Sequence, residues 1–516
     1  MQKVHASATA PDAPTNVTAS ISNAKATVTT LAGSVVACGS GQDGTGSAAH
    51  ICSPKAGAVD SAGNYFWSDN SPSSPSRIRE VTPGGVVTTV AGVLTPFAGV
   101  LDGATNIAEF SQSSGTAVTS NGDVYVGDTQ NCVIRKISGG LVSTLAGVPS
   151  VGGDFGTCDV PGYEKDGTTS TATFDNPDEV VFDKAGNLFV SSFLGCTIRK
   201  ITPGGVVSTV AGSYHNCGEV DGVGTSAQIS NPAGMAFDSV GNLFIADEGA
   251  NACTIRKMTP AGVVSTLAGQ AGNCGLGVDG TGSSAVFNVP SWIAIDSNDN
   301  LFVTDWLNHS IREITPDGVV TTVAGTLGKS GASNGTGDGA LFTRPDGIAV
   351  DSSNNIIISD RYNNLIRKAV MNTNASVNVS FTPPLSNGGS VITGYTVTSF
   401  PAGGVDGDAG TTSTTHNITG LTDNTSYTFT VVATNAIGSS SPSVASSGVI
   451  PDLVPTRPLS PSVTPGNNQA TLSWNAPSSN GDSAITHYLV YNKPTSSSNF
   501  SLPPMAGSMV QWSATQ

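Results

Sequence analysis

One internal repeat constrains this chain more than any other feature. Residues 177–212 read PDEVVFDKAGNLFVSSFLGCTIRKITPGGVVSTVAG. Residues 232–269 read PAGMAFDSVGNLFIADEGANACTIRKMTPAGVVSTLAG, and residues 290–325 read PSWIAIDSNDNLFVTDWLNHSIREITPDGVVTTVAG. Weaker copies run over 54–92 and 113–147, and another starts at Pro345 and stops after Ala369. Each copy holds four apolar runs, a to d, separated by turn residues such as Gly241-Asn242. Four short antiparallel strands per repeat make one propeller blade. A single blade cannot bury both of its faces, so the copies must stack around a common axis.

The count closes on itself. The copy at Pro345 lacks strand d, and the N-terminal side supplies an orphan strand, ATVTTLAG, at Ala26 to Gly33. Ala-Gly endings fall at Gly33, Gly92, Gly147, Gly212, Gly269 and Gly325, matching six a–b–c units. The first strand of the ring is therefore expected to complete the last blade and to pair the otherwise open edges.

Composition agrees. With 516 residues, the chain exceeds one domain. Charged residues make up 11%, against about 25% in ordinary globular proteins, and Gly 62 with Pro 29 supplies many turns. These values point to an all-β protein. A net charge of −16 argues against nucleic acid as a partner. No run of apolar residues is long enough to span a membrane. Met1 to Ala10 lacks the apolar core of a secretory signal, so either export takes another route or the sequence is not the whole precursor.

The repeat resembles the NHL family on Asp238, Gly241-Asn242, Asp247 and Ile255-Arg256-Lys257 and their counterparts, over about residues 26–370. The resemblance implies a six-bladed β-propeller. It is nearly silent on function, because such propellers serve as scaffolds, sensors, binding modules and, occasionally, enzymes. Asp60, Asp183, Asp238, Asp296 and Asp351 end strand a and are expected to accept backbone N–H groups of the following turn. Arg79, Arg135, Arg199, Arg256, Arg312 and Arg367 on strand c should pair with Asp69, Asp128, Asp247, Asp305 and Asp360 at the end of strand b, with Ser192 in the odd repeat. Asp-Gly loops at Asp43, Asp102, Asp166, Asp221, Asp279 and Asp338 read as tight turns, since each offers too few oxygens for calcium. No metal or other cofactor is expected.

Eight cysteines lie within the repeats. Strands c and d are antiparallel neighbours, so a residue before c lies beside the loop after d. That geometry predicts Cys132–Cys158, Cys196–Cys217 and Cys253–Cys274, with Cys38–Cys52 by elimination. Disulfides in turn imply an oxidising compartment.

Beyond the repeats, residues 372–451 resemble a fibronectin type III domain through Phe381, Tyr395, Leu421 and Tyr427. Residues 452–516 resemble a second, incomplete copy, with Trp474 and Tyr488 as its aromatics. The fold class is thus a six-bladed propeller, residues 24–371, plus immunoglobulin-like sandwiches. Residues 1–23 are read in two ways. Either they supply strand A of the first sandwich, making the propeller an insertion, or they link to an upstream module.

For function, three classes stay open. No catalytic motif of metalloprotease, serine hydrolase or phosphate-binding type occurs, and strand a reads as mostly apolar. That weighs against an enzyme of the lactonase or lyase type. The favoured reading is an extracellular or surface-exposed binding or adhesion protein that recognises protein or glycan through the variable b–c and d–a loops. Its candidate binding residues are Trp292, Trp306, Asn308, His309, Arg361, Tyr362 and Asn363. The alternative is a structural component of a cell, matrix or virion surface, with neighbours in an assembly. Asn-x-Ser/Thr sequons, among them Asn308 and Asn334, support glycosylation weakly.

Overall fold

A computed structural model describes residues 8–22, 25–35, 41–70, 76–93, 99–149, 158, 164–249, 251–371, 376–422, 425–451, 459–466 and 469–475. The chain divides into two units: residues 24–372, and residues 1–23 together with 373–516.

In the first unit, six sheets share one pattern. Blade five shows it: strand a is Pro290–Ile295, b Leu301–Asp305, c Ser310–Ile314 and d Val319–Ala324. Each blade has five strands rather than the expected four. The Asp-Gly loop contributes a two-residue strand, Gly280–Thr281 here, that pairs with the outer edge of strand d. It shields the backbone groups of an exposed edge. The six a strands adjoin one another in a closed ring: Pro54–Val59, Thr116–Val118, Pro177–Phe182, Pro232–Phe237, Pro290–Ile295, Ile348–Val350, and back to the first. The last blade is closed by Ala26–Gly33, which lies between the strand Leu365–Met371 and the outer pair Gly335–Thr336.

A buried arginine ties each blade together. Arg79, Arg135, Arg199, Arg256, Arg312 and Arg367 are all 0% exposed. Arg312 is representative: Nη1 donates to Asp305 Oδ2 at 2.7 Å and to the Val286 carbonyl at 3.0 Å, while Nη2 donates to Asp279 Oδ1 and the Val278 carbonyl, each at 2.9 Å. So the Asp-Gly aspartates are more than turn formers, because they anchor the outermost strand to the arginine.

Two blades depart from the repeat, and each restores the missing group. Where Ser192 replaces the strand-b aspartate, Glu164 brings its carboxylate to 2.9 Å from Arg199. In blade six Arg367 keeps its strand-b partner Asp360, at 2.9 Å, but its outer partner is Asn334, also at 2.9 Å, and not Asp338. Asn334 Oδ1 also accepts the Thr30 hydroxyl, which ties that sequon into the blade.

Strand a ends in an Asp–Asn clasp. Asp296 Oδ1 accepts the N–H groups of Asn298 and Asn300, and the Asn300 amide donates to Oδ2 at 3.0 Å. The same arrangement holds at Asp60, Asp183, Asp238 and Asp351. Disulfides join Cys132 to Cys158, Cys196 to Cys217 and Cys253 to Cys274. Cys52 is also disulfide-bonded, while Cys38 lies outside the described residues.

In the second unit, Thr15–Ser22 pairs antiparallel with Ser376–Thr382, which pairs in turn with Thr415–Thr419. A second sheet pairs Ile392–Phe400 with Thr428–Asn435. Phe381, Tyr395, Leu421 and Tyr427 are buried between the sheets, and Val17 and Ala19 pack against that core. The Tyr427 hydroxyl accepts the Thr422 N–H at 3.1 Å. In chain order, the propeller therefore falls between the first two strands of this sandwich. Beyond it, Leu459–Gly466 and Gln469–Asn475 form a hairpin that carries Trp474. Tyr488 lies outside the described residues.

Candidate ligand cavity at the channel mouth

Antiparallel pairing places the start of each strand a beside the end of b and the b–c turn: Pro290 faces Asp305, which faces Ser310. On this side of the propeller lies a cavity of about 210 Å³ to which all six blades contribute. Blade one gives Lys55, blade two Thr129, and blade four Glu248. Blade three gives Asn176, Asp178 and Phe193; blade five gives Ser291, Trp292 and Trp306; blade six gives Asp346 and Arg361.

The lining residues sit where the repeats disagree. Counted from Pro290 and its equivalents in the repeat, the third residue is Ala56, Gly115, Glu179, Gly234, Trp292 and Gly347 from blade one to blade six. Four are small because neighbouring a strands approach closely: a Cβ on Gly234 would lie 2.5 Å from Trp292 Cα. Glu179 and Trp292 break the pattern together, and the Trp292 Nε1–H donates to Glu179 Oε2. The second residue supplies Lys55, Asp178, Ser291 and Asp346. A strand that reads as apolar along its length thus opens the cavity with charge.

Charge in the cavity is nearly balanced. Arg361 Nη1 pairs with Asp346 Oδ2 at 2.8 Å, and its Nε donates to Ser53 Oγ. Burial works against the Arg361 charge, but Asp346 more than offsets this and keeps the group above its usual range. Burial raises Asp178, with Lys55 opposing the shift. Glu179 is pushed well above the carboxylate range by burial. Glu248 is raised to about 8, by burial and then by the Asp346 and Asp178 charges. At neutral pH, Glu248 is therefore largely a neutral acid able to donate as well as accept.

That gives a first prediction. A buried acid with a raised pKa stays protonated on folding, while its unfolded counterpart ionises above about pH 4.3. Stability is full below that value and is lost as pH rises toward about 8. Glu248→Gln removes the titration. It is expected to leave the melting temperature nearly unchanged at pH 4 and to raise stability by roughly 4–5 kcal/mol at pH 8. Equal pH dependence of melting in the two proteins would contradict the assignment.

The structure separates the candidate binding residues into two groups. Trp292, Trp306 and Arg361 line the cavity. Tyr362, 52% exposed, lies at its rim with ring centroid 6.2 Å from that of Trp306. Asn308, Asn363 and His309 hold the blades. Asn308 Nδ2 donates to Asp305 Oδ2 and Asn363 Nδ2 to Asp360 Oδ2, as Asn131 does to Asp128 in blade two. At 1% exposure, Asn308 is closed to a glycan in the folded chain. His309 occupies the left-handed position, φ 56°, that the bonded cysteines Cys132, Cys196 and Cys253 take in their blades. Its Nδ1 accepts the Arg344 N–H at 3.0 Å, and in blade six Asn364 accepts the Ser53 N–H in the same way.

Those two N–H groups mark a position that recurs in every blade, just ahead of strand a. Ser53, Gln112, Asn176, Asn231, Val289 and Arg344 all have φ between 46° and 61°. This conformation is costly for residues other than Gly and Asn. The fold fixes the backbone there while the side chain changes from blade to blade.

A propeller whose blades pair Asp with Arg and clasp Asp with Asn, together with a sandwich of two antiparallel sheets, defines a repeat-propeller protein with a fibronectin-like module. Comparison with known proteins agrees. The fibronectin type III domain pattern matches residues 366–449, and the NHL repeat pattern matches residues 342–368. The chain is 24% identical over 326 residues to NHL repeat-containing protein 2 of Bos taurus, covering 57% of this chain and 43% of that protein. It is 23% identical over 284 residues to the chloroplastic protein SUPPRESSOR OF QUENCHING 1 of Arabidopsis thaliana, covering 52% and 26%. The chain thus spans less than half the length of these relatives. Among solved structures, a protein of unknown function from Bacteroides thetaiotaomicron superposes with TM-score 0.50 and 19% identity, over 68% of this chain and 77% of that one. This likeness is one of fold alone. The chain is an NHL-repeat β-propeller protein that also carries a fibronectin type III domain.

Proposed function

We propose that this protein is an extracellular or surface-exposed recognition module that binds a glycan in the cavity at the channel mouth. One observation carries the reading. All six blades contribute to one concavity, and they do so with residues that depart from the repeat. Structural positions repeat, whereas a ligand site needs each group once. The lining mixes indole and phenyl rings with one neutral acid, Glu248, and with amide, hydroxyl and paired charges, the chemistry that suits a polyhydroxylated ring. The disulfides among the described residues support an oxidising location.

Titration calorimetry of the full chain against a panel of oligosaccharides tests the proposal. Trp306→Ala, at the cavity wall, is expected to weaken the tightest ligand at least tenfold while the melting temperature holds. Hydrolysis or elimination of the ligand during titration would instead favour an enzyme. No binding by the whole panel would refute the glycan reading.

A further inference from the structure

Arg344 differs from every other arginine described so far. Its guanidinium carbon lies 4.7 Å from the Trp306 ring centroid and 4.9 Å from that of Tyr362, so two aromatic rings clamp it. The two rings stand edge to face with centroids 6.2 Å apart, so both lie toward one side of the guanidinium, where cation–π attraction holds it without using its N–H donors. The buried arginines of strand c spend those donors on carboxylates and carbonyls. Arg361, on the same rim, spends them on Asp346 and Ser53. Among the described residues, no acceptor and no carboxylate meets the Arg344 guanidinium; its only hydrogen bond is the backbone one to His309.

The backbone is fixed as well. Arg344 sits at the left-handed position, φ 51°, with its N–H held by His309 Nδ1. The main chain is therefore set, and two rings hold the guanidinium from one side, before any ligand arrives. A pre-positioned guanidinium fork matches a planar oxyanion in two parallel hydrogen bonds. Trp306 is shared, walling the cavity on one side and clamping Arg344 on the other.

We propose that Arg344 is an anion subsite adjoining the cavity, and that it takes the carboxylate of a uronic acid unit in the bound glycan. This rests on the glycan reading above and narrows it to acidic polysaccharides. The cavity itself does not oppose an acidic ligand, because Asp346 is paired to Arg361 and Lys55 stands against Asp178. Tyr362 contributes by holding the fork in place, with Arg361 5.8 Å from the same ring.

The test uses the full chain, disulfides intact, and a panel of oligouronates of galacturonic, glucuronic and mannuronic acid. Each is paired with its carboxyl-reduced counterpart, which keeps the ring and loses the charge. At least one acidic member is expected to bind tenfold or more tighter than its reduced partner. Arg344→Gln should abolish that preference while leaving affinity for the reduced sugar within twofold. Tyr362→Leu, which loosens the clamp without touching the charge, should lower the preference severalfold. Equal affinity for acidic and reduced sugars, or a preference that survives Arg344→Gln, overturns the anion subsite and leaves the glycan reading standing. Failure of both series to bind removes the two together.

Discussion

Arg312→Ala is expected to be among the most damaging single substitutions outside the cavity, lowering stability by about 3–5 kcal/mol. The side chain is 0% exposed and makes four hydrogen bonds that join strand b, the loop before strand a and the outer strand of blade five. Its loss leaves the Asp305 carboxylate buried without its cation, since only Asn308 and the Asn288 N–H remain to it. Asp305 is already raised by burial, with Arg312 opposing that shift. Removing the arginine raises it further, so the variant should recover part of its stability as pH falls and Asp305 takes a proton. Urea denaturation at pH 5 and pH 8 measures both effects. The double variant Arg312→Ala/Asp305→Ala should lose less than the sum of the single losses. A single-variant loss under about 1 kcal/mol would mean that the arginine is decorative.

Val28→Asp should cost about as much by a different route. Val28 is 0% exposed and belongs to the strand that closes the ring, opposite Ala369 on one side and Gly335 on the other. A carboxylate there has no cation to meet and must be desolvated or protonated, a penalty of several kcal/mol. The strand's other face points outward, so Thr29→Asp serves as a matched control and should stay within about 0.5 kcal/mol. Hydrogen exchange locates the damage: amides of Asn355–Asp360 and Leu365–Met371 should lose protection before those of blades two to four. Uniform loss around the ring would show that closure is not the weak point.

The propeller was legible because its signals repeat. Six Ala-Gly endings against six a–b–c units require a shared last blade, and the Asp and Arg positions recur on neighbouring strands. What escaped the sequence are the repairs and the departures. Glu164 lies far along the chain from Arg199, and only the fold shows that it stands in for the missing strand-b aspartate. Asp338-Gly339 was read with the other Asp-Gly pairs as a tight turn, but in blade six the two-residue outer strand begins at Gly335, so Asn334 takes the position that an Asp-Gly aspartate holds elsewhere.

The cavity was half visible. Trp292, Trp306 and Arg361 stand out by type, whereas Asp178 and Asp346 were lost in or just ahead of a strand read for its apolar pattern, and Glu248 in the loop after strand b. Aligning the third residue counted from Pro290 and its equivalents would have found Glu179 and Trp292, the two large members of a small-residue column. Arg344 could not be found by type, because the aromatic clamp that defines it comes from two different blades.

The left-handed residue ahead of each strand a has an evolutionary consequence. Ser53, Gln112, Asn176, Asn231, Val289 and Arg344 show that the main chain there accepts hydroxyl, amide, branched aliphatic and guanidinium groups alike. The scaffold thus holds one backbone position per blade at which the side chain varies while the fold supplies the conformational cost. Lineages descended from such a chain can retarget by single steps at these positions, keeping an old architecture while changing what it selects.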